Sequence, residues 1–149
     1  MKIPSNCILV IFGASGDLTR GKLIPALFRL HWRGMLPPSF AVIGVGRTPL
    51  DDDAFRSRMA EALREAVGDR FDSREAAPFL KSLFYQALDT TNVDDYHLLR
   101  DKLTSVDRDN DVGGNYLYYL ATPPRLYETV VRGLAGQGLN APDSDGEKS

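Results

Sequence analysis

Cysteine occurs once and histidine twice in these 149 residues. The lone thiol, Cys7, has no internal disulfide partner, so the chain reads as the product of a reducing compartment and Cys7 as a small core residue. Excess charge is missing too: 18 Lys and Arg against 20 Asp and Glu leave a net −2. That balance gives neither nucleic acid nor an acidic membrane surface a reason to bind. No apolar run approaches the length of about 20 residues that a membrane span needs, and Pro4, Ser5 and Asn6 near the N-terminus form no signal cleavage pattern. A cytoplasmic protein with no nucleic-acid, membrane or metal partner is expected, and no internal repeat is visible. What remains is ordinary: 43% apolar and 26% charged residues suit one globular domain around one core.

The order of elements is legible in the apolar pattern. Residues 7–12 form a continuous, β-branched apolar run closed by Gly13, the reading of a strand buried on both faces. A helix is expected next, with Leu23, Leu27 and Leu30 on its buried face, Phe28 beside them and Pro25 bending it or sitting near its first turn. A second strand spans 40–45. The next helix, 51–67, carries Phe55, Met59 and Leu63 with Ala62 and Ala66 alongside, and three aspartates at its positive end. A weaker helix covers 73–83 and a third strand 84–88. Tyr96, Leu99, Leu103 and Val106 mark another helix, 115–121 a fourth strand, and Leu126, Val130, Val131 and Leu134 a last helix opened by Pro123-Pro124. Strands alternating with helices predict an α/β, Rossmann-type doubly wound parallel sheet over residues 1–138, with 139–149 as a flexible tail.

The turn after the first strand reads Gly13-Ala14-Ser15-Gly16-Asp17-Leu18. Gly13 allows a tight exit from the strand, and Gly16 lets a pyrophosphate approach the backbone without a β-carbon in the way. The first free N–H groups of the following helix then point at the phosphates. Gly16 to Lys22 also has the spacing of a triphosphate-binding loop. There the next position must be Ser or Thr to hold magnesium, but Leu23 stands in its place. The second strand runs into Gly44-Val45-Gly46-Arg47-Thr48. A carboxylate at its tip would bind the 2′-hydroxyl of NAD; Arg47 instead offers a guanidinium fork to the 2′-phosphate of NADP.

Ile11-Phe12-Gly13-Ala14-Ser15-Gly16-Asp17-Leu18 with Lys22-Leu23 and Pro25, then Ile43-Gly44-Val45-Gly46-Arg47, then Tyr119-Leu120-Ala121-Thr122-Pro123-Pro124, resembles the amino-terminal region of glucose-6-phosphate dehydrogenases. The resemblance implies an NADP-binding domain of an enzyme that oxidises glucose 6-phosphate to its lactone in the pentose phosphate pathway. It implies that Gly13, Ala14, Ser15, Gly16, Asp17, Leu18, Thr19 and Arg20 face the cofactor pyrophosphate and Arg47 the 2′-phosphate. Leu88 and Asp89 then lie near the adenosine half, Tyr127 near the nicotinamide side, and Lys22 reaches toward substrate and cofactor.

The family's Glu-Lys-Pro strand, its Arg-Ile-Asp-His-Tyr substrate motif and its catalytic His–Asp pair do not occur in the chain. His31 and His97 fall on helices, away from any strand's carboxyl end. The expectation is a sheet truncated before its later strands, with the catalytic and dimerisation domain absent. Such a fragment would be inactive and monomeric, whereas the full-length enzyme is a homo-oligomer. Two alternatives remain to compare with these residues. A short-chain reductase needs Tyr-x-x-x-Lys, and no lysine stands four residues after Tyr116, Tyr118, Tyr119 or Tyr127. A stand-alone NADP-binding sensor or interaction module would carry the same residues as an excised domain.

Overall fold

Short β-branched apolar runs separated by helix-length segments leave little choice but parallel strands joined by helical crossovers. The computed structural model describes residues 6–139. Its elements are β1 (Cys7–Phe12), α1 (Ile24–Trp32), β2 (Phe40–Gly46), α2 (Asp52–Val67), α3 (Ser73–Lys81), β3 (Leu83–Ala87), α4 (Tyr96–Asn110), β4 (Tyr116–Leu120) and α5 (Tyr127–Gly136). The sheet order is β3-β2-β1-β4, parallel throughout. The chain steps outward from β1 to β3 and then returns across β1 to β4. That reversal opens a crevice at the carboxyl ends of β1 and β4, where doubly wound sheets take their ligands.

Alternation along β1 divides the core between two helical layers. Cys7 and Ile11 face α1, α2 and α3 through Phe28, Phe55, Met59 and Phe79. Ile8, Val10 and Phe12 face α4 and α5 through Tyr96, Leu99, Leu103 and Val130. The central strand β2 is buried along its whole length, whereas β4, at an edge, is half-exposed.

The first helix buries a different face from the expected one. Ile24, Pro25 and Phe28 are buried, while Leu23, Leu27 and Leu30 are only partly so. The helical path starts at residue 17 and widens into a π turn over Thr19–Leu23, in which the Ile24 N–H bonds Thr19 O. Pro25 explains the widening, because its ring would meet the Gly21 carbonyl in a regular α turn. The extra residue rotates everything after it by about 100°, which carries Ile24 and Phe28 over the sheet.

Other departures are smaller. β3 begins and ends one residue early, so Leu88 follows it, buried, with its N–H still bonded to Gly46 O at 2.9 Å. Ala66, in the last turn of α2, is exposed beside a groove against α1. Val131 is half-exposed because Val130, Gly133 and Leu134 form the buried stripe of α5. The expected tail from 140 onward lies outside the described residues.

The outer edge of β3 is closed by side chains. A free edge leaves N–H and C=O groups open to another strand. Here the Asp52 carboxylate accepts the Tyr85 N–H at 2.8 Å, and Arg56 Nε donates to Leu83 O at 2.8 Å. Lys102 reaches Asp52 from α4, at 2.9 Å. Asp52→Ala is therefore expected to cost about 1–3 kcal/mol in urea unfolding, since it orphans both a part-buried N–H and an ammonium. Asp53→Ala, at an exposed position one residue on, should cost less than about 0.5 kcal/mol.

Candidate functional site

Gly13 leaves β1 with φ +89°, and a β-carbon there would stand 2.7 Å from Ala121 O. Both demands admit only glycine. The N–H groups of Gly13 and Ala14 share Val45 O at 2.9 and 3.1 Å. Gly13 O in turn accepts the Gly16 N–H at 3.1 Å and the buried Thr19 hydroxyl at 3.1 Å. The loop is thus tied to β2, to its own helix and, by close contact, to the end of β4.

The first helical hydrogen bond runs from Arg20 N–H to Gly16 O, 3.2 Å. The N–H groups of Asp17, Leu18 and Thr19 precede it and have no helical acceptor. They stand at the positive end of the helix dipole, beside the crevice, as a ready cradle for an anion. Ser15, Gly16, Asp17 and Leu18 are exposed around them. A β-carbon on Gly16 would meet only Gly13 O, at 3.3 Å, so the space in front of the cradle is open.

The end of β2 lies against this loop. A β-carbon on Gly46 would meet Tyr85 Oη at 2.8 Å and Ser15 Oγ at 3.6 Å. The Tyr85 hydroxyl donates to Thr48 O at 2.8 Å and so holds the backbone that carries Arg47. Arg47 is exposed and forms no ion pair among the described residues. Asp89 lies close enough to feel its charge. The Thr91 hydroxyl and N–H, at 2.6 and 3.0 Å, hold the Asp89 carboxyl below the usual carboxylate range, and the Arg47 charge adds to this. Asp89 is thus engaged mainly by Thr91, which leaves the guanidinium available. The same loop is anchored below by Tyr96, whose hydroxyl donates to Thr90 O at 2.9 Å. Burial first, and the Asp89 charge second, push the Tyr96 pKa up to about 12.

Two buried polar atoms have no hydrogen-bond partner among the described residues: Arg20 Nε and Thr122 Oγ1. Leaving such an atom unsatisfied costs about 1–3 kcal/mol, so both are candidates to receive a ligand or solvent. Thr122 follows β4, with its methyl 3.3 Å from where a Gly13 β-carbon would lie. It was missed as a site residue; the available signal was a hydroxyl at the carboxyl end of a predicted strand. Arg20 turns toward α2, where it borders a groove of about 290 Å³ with Asp17, Gly21, Ala62 and Glu65.

The expected site residues do not all converge. The loop residues from Gly13 to Thr19, Arg47 and Asp89 share one end of the sheet, with Leu88 buried behind them. Tyr127, the first residue of α5, is 41% exposed after β4. Lys22 is exposed on the π turn, and Gly21 and Lys22 lie within a helix rather than in a loop ahead of it, which removes the triphosphate-loop reading on geometry. His31 packs on Phe28 and Phe79, at centroid distances of 6.2 and 5.7 Å. His97 lies in the first turn of α4, on a helix as expected, with Nδ1 2.8 Å from Asp94 O.

The family model described as glucose-6-phosphate dehydrogenase, NAD binding domain, matches residues 10–148. A glucose-6-phosphate 1-dehydrogenase of Aggregatibacter actinomycetemcomitans is 44% identical over 138 residues, covering 93% of this chain and 28% of the relative. Another, from Treponema pallidum, is 42% identical over 134 residues, covering 89% and 26%. The solved structure of a glucose-6-phosphate 1-dehydrogenase from Mycobacterium avium superposes with a TM-score of 0.75 at 34% identity, over 91% of this chain and 28% of that one. A glucose-6-phosphate dehydrogenase solved with its substrate glucose 6-phosphate also gives 0.75, at 30% identity over 90% of this chain and 28% of that one. The chain spans about a quarter of the length of these relatives.

Proposed function

The chain belongs to the glucose-6-phosphate dehydrogenase family, as its NAD-binding domain, and from that membership we propose that it holds NADP across the β1–β4 crevice. The reaction it serves is oxidation of C1 of glucose 6-phosphate to the lactone, with NADP, when bound, supplying the hydride acceptor. The observation that carries the reading is the loop at the switch point. Gly13 is held at φ +89° against Ala121, and the N–H groups of Asp17, Leu18 and Thr19 stand free of helical acceptors. Those donors suit a pyrophosphate. The orphaned Thr122 hydroxyl, on the far side of Gly13, suits a polar group of the nicotinamide half. No described carboxylate stands at the tip of β2, where one would select NAD; Arg47 stands there instead.

In this assignment Ala14, Ser15, Gly16 and Leu18 shape the loop. Asp17 and Arg20 flank it, Leu88 and Asp89 border the adenosine half, and Tyr127 lies on the nicotinamide side. Lys22 is this chain's contribution to the substrate side. The longer protein is read as a homo-oligomer and this chain alone as a monomer. The cytoplasm is the compartment that the free, buried thiol of Cys7 suits.

Titration of NADP and NAD against wild type and Arg47→Ala at low salt tests the assignment. NADP is expected to bind the chain with a Kd of roughly 0.1–1 mM. The substitution should weaken NADP by about 1.5–3 kcal/mol, the range for hydrogen bonds to charged groups, and leave NAD nearly unchanged. Equal losses for both nucleotides would mean that Arg47 holds the loop rather than the phosphate.

A further inference from the structure

At the other end of α1, the groove it shares with the end of α2 has features that dinucleotide binding does not use. α1 starts near the carboxyl end of β1 and runs away from it, so its last turn lies roughly 20 Å from the glycine loop. The groove holds about 440 Å³, within the range of small-molecule sites. Phe28 and Val67 contribute apolar lining, and Trp32 stands over it 54% exposed, its ring 5.9 Å from that of Phe28. Three guanidiniums complete the lining: Arg29 from α1, Arg33 just after its end, and Arg70 from the turn after α2.

None of these three arginines has a carboxylate within ion-pair distance among the described residues. Arg56, Arg64, Arg100 and Arg108 each have one, and the other described arginines do not, so what sets these three apart is that they line one groove. Arg29 and Arg33 are one helical turn apart, a spacing at which like charges repel. Helix carboxyl ends favour cations; here three guanidiniums and an exposed indole gather on one groove. No carboxylate lines the groove.

We propose that this groove is a second ligand site, for a nucleoside polyphosphate whose base stacks on Trp32 and whose phosphates engage Arg29, Arg33 and Arg70. Clustered guanidinium forks match phosphate oxygens bidentately, and an indole face between them matches a flat aromatic base. An acidic peptide would satisfy the charge but would leave the exposed ring face without a counterpart.

Trp32 is the only tryptophan in the chain, so its fluorescence reports on the groove directly. ATP titrated at low salt, with inner-filter correction, should quench it saturably, with a midpoint of roughly 0.1–1 mM. Inorganic tripolyphosphate should displace ATP. The double variant Arg33→Ala/Arg70→Ala should raise the midpoint tenfold or more, with the thermal unfolding midpoint and NADP binding unchanged. Arg70→Glu alone, on an exposed turn, should do the same and serves if the double variant misfolds. Arg47→Ala should leave the ATP response intact, which separates this site from the dinucleotide crevice. Quenching that survives loss of the arginines, or that disappears with Arg47, would overturn the proposal. So would a glutamate-rich peptide that quenches Trp32 where ATP does not.

Discussion

Replacing Gly13 with valine is expected to lower stability by about 2–6 kcal/mol and to abolish measurable dinucleotide binding. Two costs combine. A backbone at φ +89° strains any residue with a β-carbon, by about 1–3 kcal/mol. The β-carbon would also stand 2.7 Å from Ala121 O and 3.0 Å from Ala121 C. These are backbone atoms at the end of β4, so relief requires the strand to move, at about 1–3 kcal/mol more. A domain has roughly 5–15 kcal/mol in all, so the variant should unfold at clearly lower urea. Because Gly13 O anchors both the Gly16 N–H and the Thr19 hydroxyl, whatever folds should hold its phosphate donors out of place. Gly16→Ala is the control: its β-carbon meets only Gly13 O, at 3.3 Å, and its φ is not positive. A cost below about 1 kcal/mol is expected there. If Gly13→Val unfolds within about 0.5 kcal/mol of wild type, the close approach to Ala121 does not constrain the loop.

The sheet was legible because each strand is a short apolar run ended by a glycine or a polar cluster, and because the helices between them keep a clear period. β1 occupies the expected residues, and β2 runs one further to Gly46. The first helix was not legible in its face. Periodicity assumes 3.6 residues per turn, and Pro25 imposes a π turn that breaks the phase. The capping of the outer edge of β3 was not legible either. Asp52 and Arg56 clamp its outer edge at Tyr85 and Leu83, and no pattern within the strand encodes a partner 33 residues away.

At the candidate site, the glycine loop was legible because the backbone at Gly13 admits no β-carbon, whereas Arg47 stood out only as a guanidinium where a carboxylate would select NAD. Arg20 and Thr122 differ. Arg20 was assigned to the loop by resemblance, yet its side chain turns to α2. Thr122 was passed over because an orphaned hydroxyl is a fact of packing. Only the approach of β4 to Gly13 reveals it.

That packing makes Gly44 the position where fold and site are most tightly joined. It lies mid-strand in β2, paired with Ile11, and a β-carbon on it would stand 2.7 Å from the Ala14 β-carbon and 2.8 Å from Phe55 Cζ. Ala14 is fully buried within the glycine loop, so any side chain at 44 pushes from beneath on the segment that forms the cradle. Gly44→Ala is expected to cost about 1–3 kcal/mol by overpacking and to weaken NADP binding severalfold. Moving the methyl rather than adding one should relieve the strain: in Gly44→Ala/Ala14→Gly, the clash at 2.7 Å disappears and only the Phe55 ring must give way. The two changes should therefore couple favourably by about 1 kcal/mol or more, within the range for residues in contact. A double-mutant cycle in urea, with NADP titrations of all four proteins, measures both effects. Strict additivity would show that Ala14 yields freely and that the loop takes its shape from Gly13 and Thr19 alone. Coupling in stability together with recovery of binding would show that the floor of the phosphate cradle is the contact between Gly44 and Ala14.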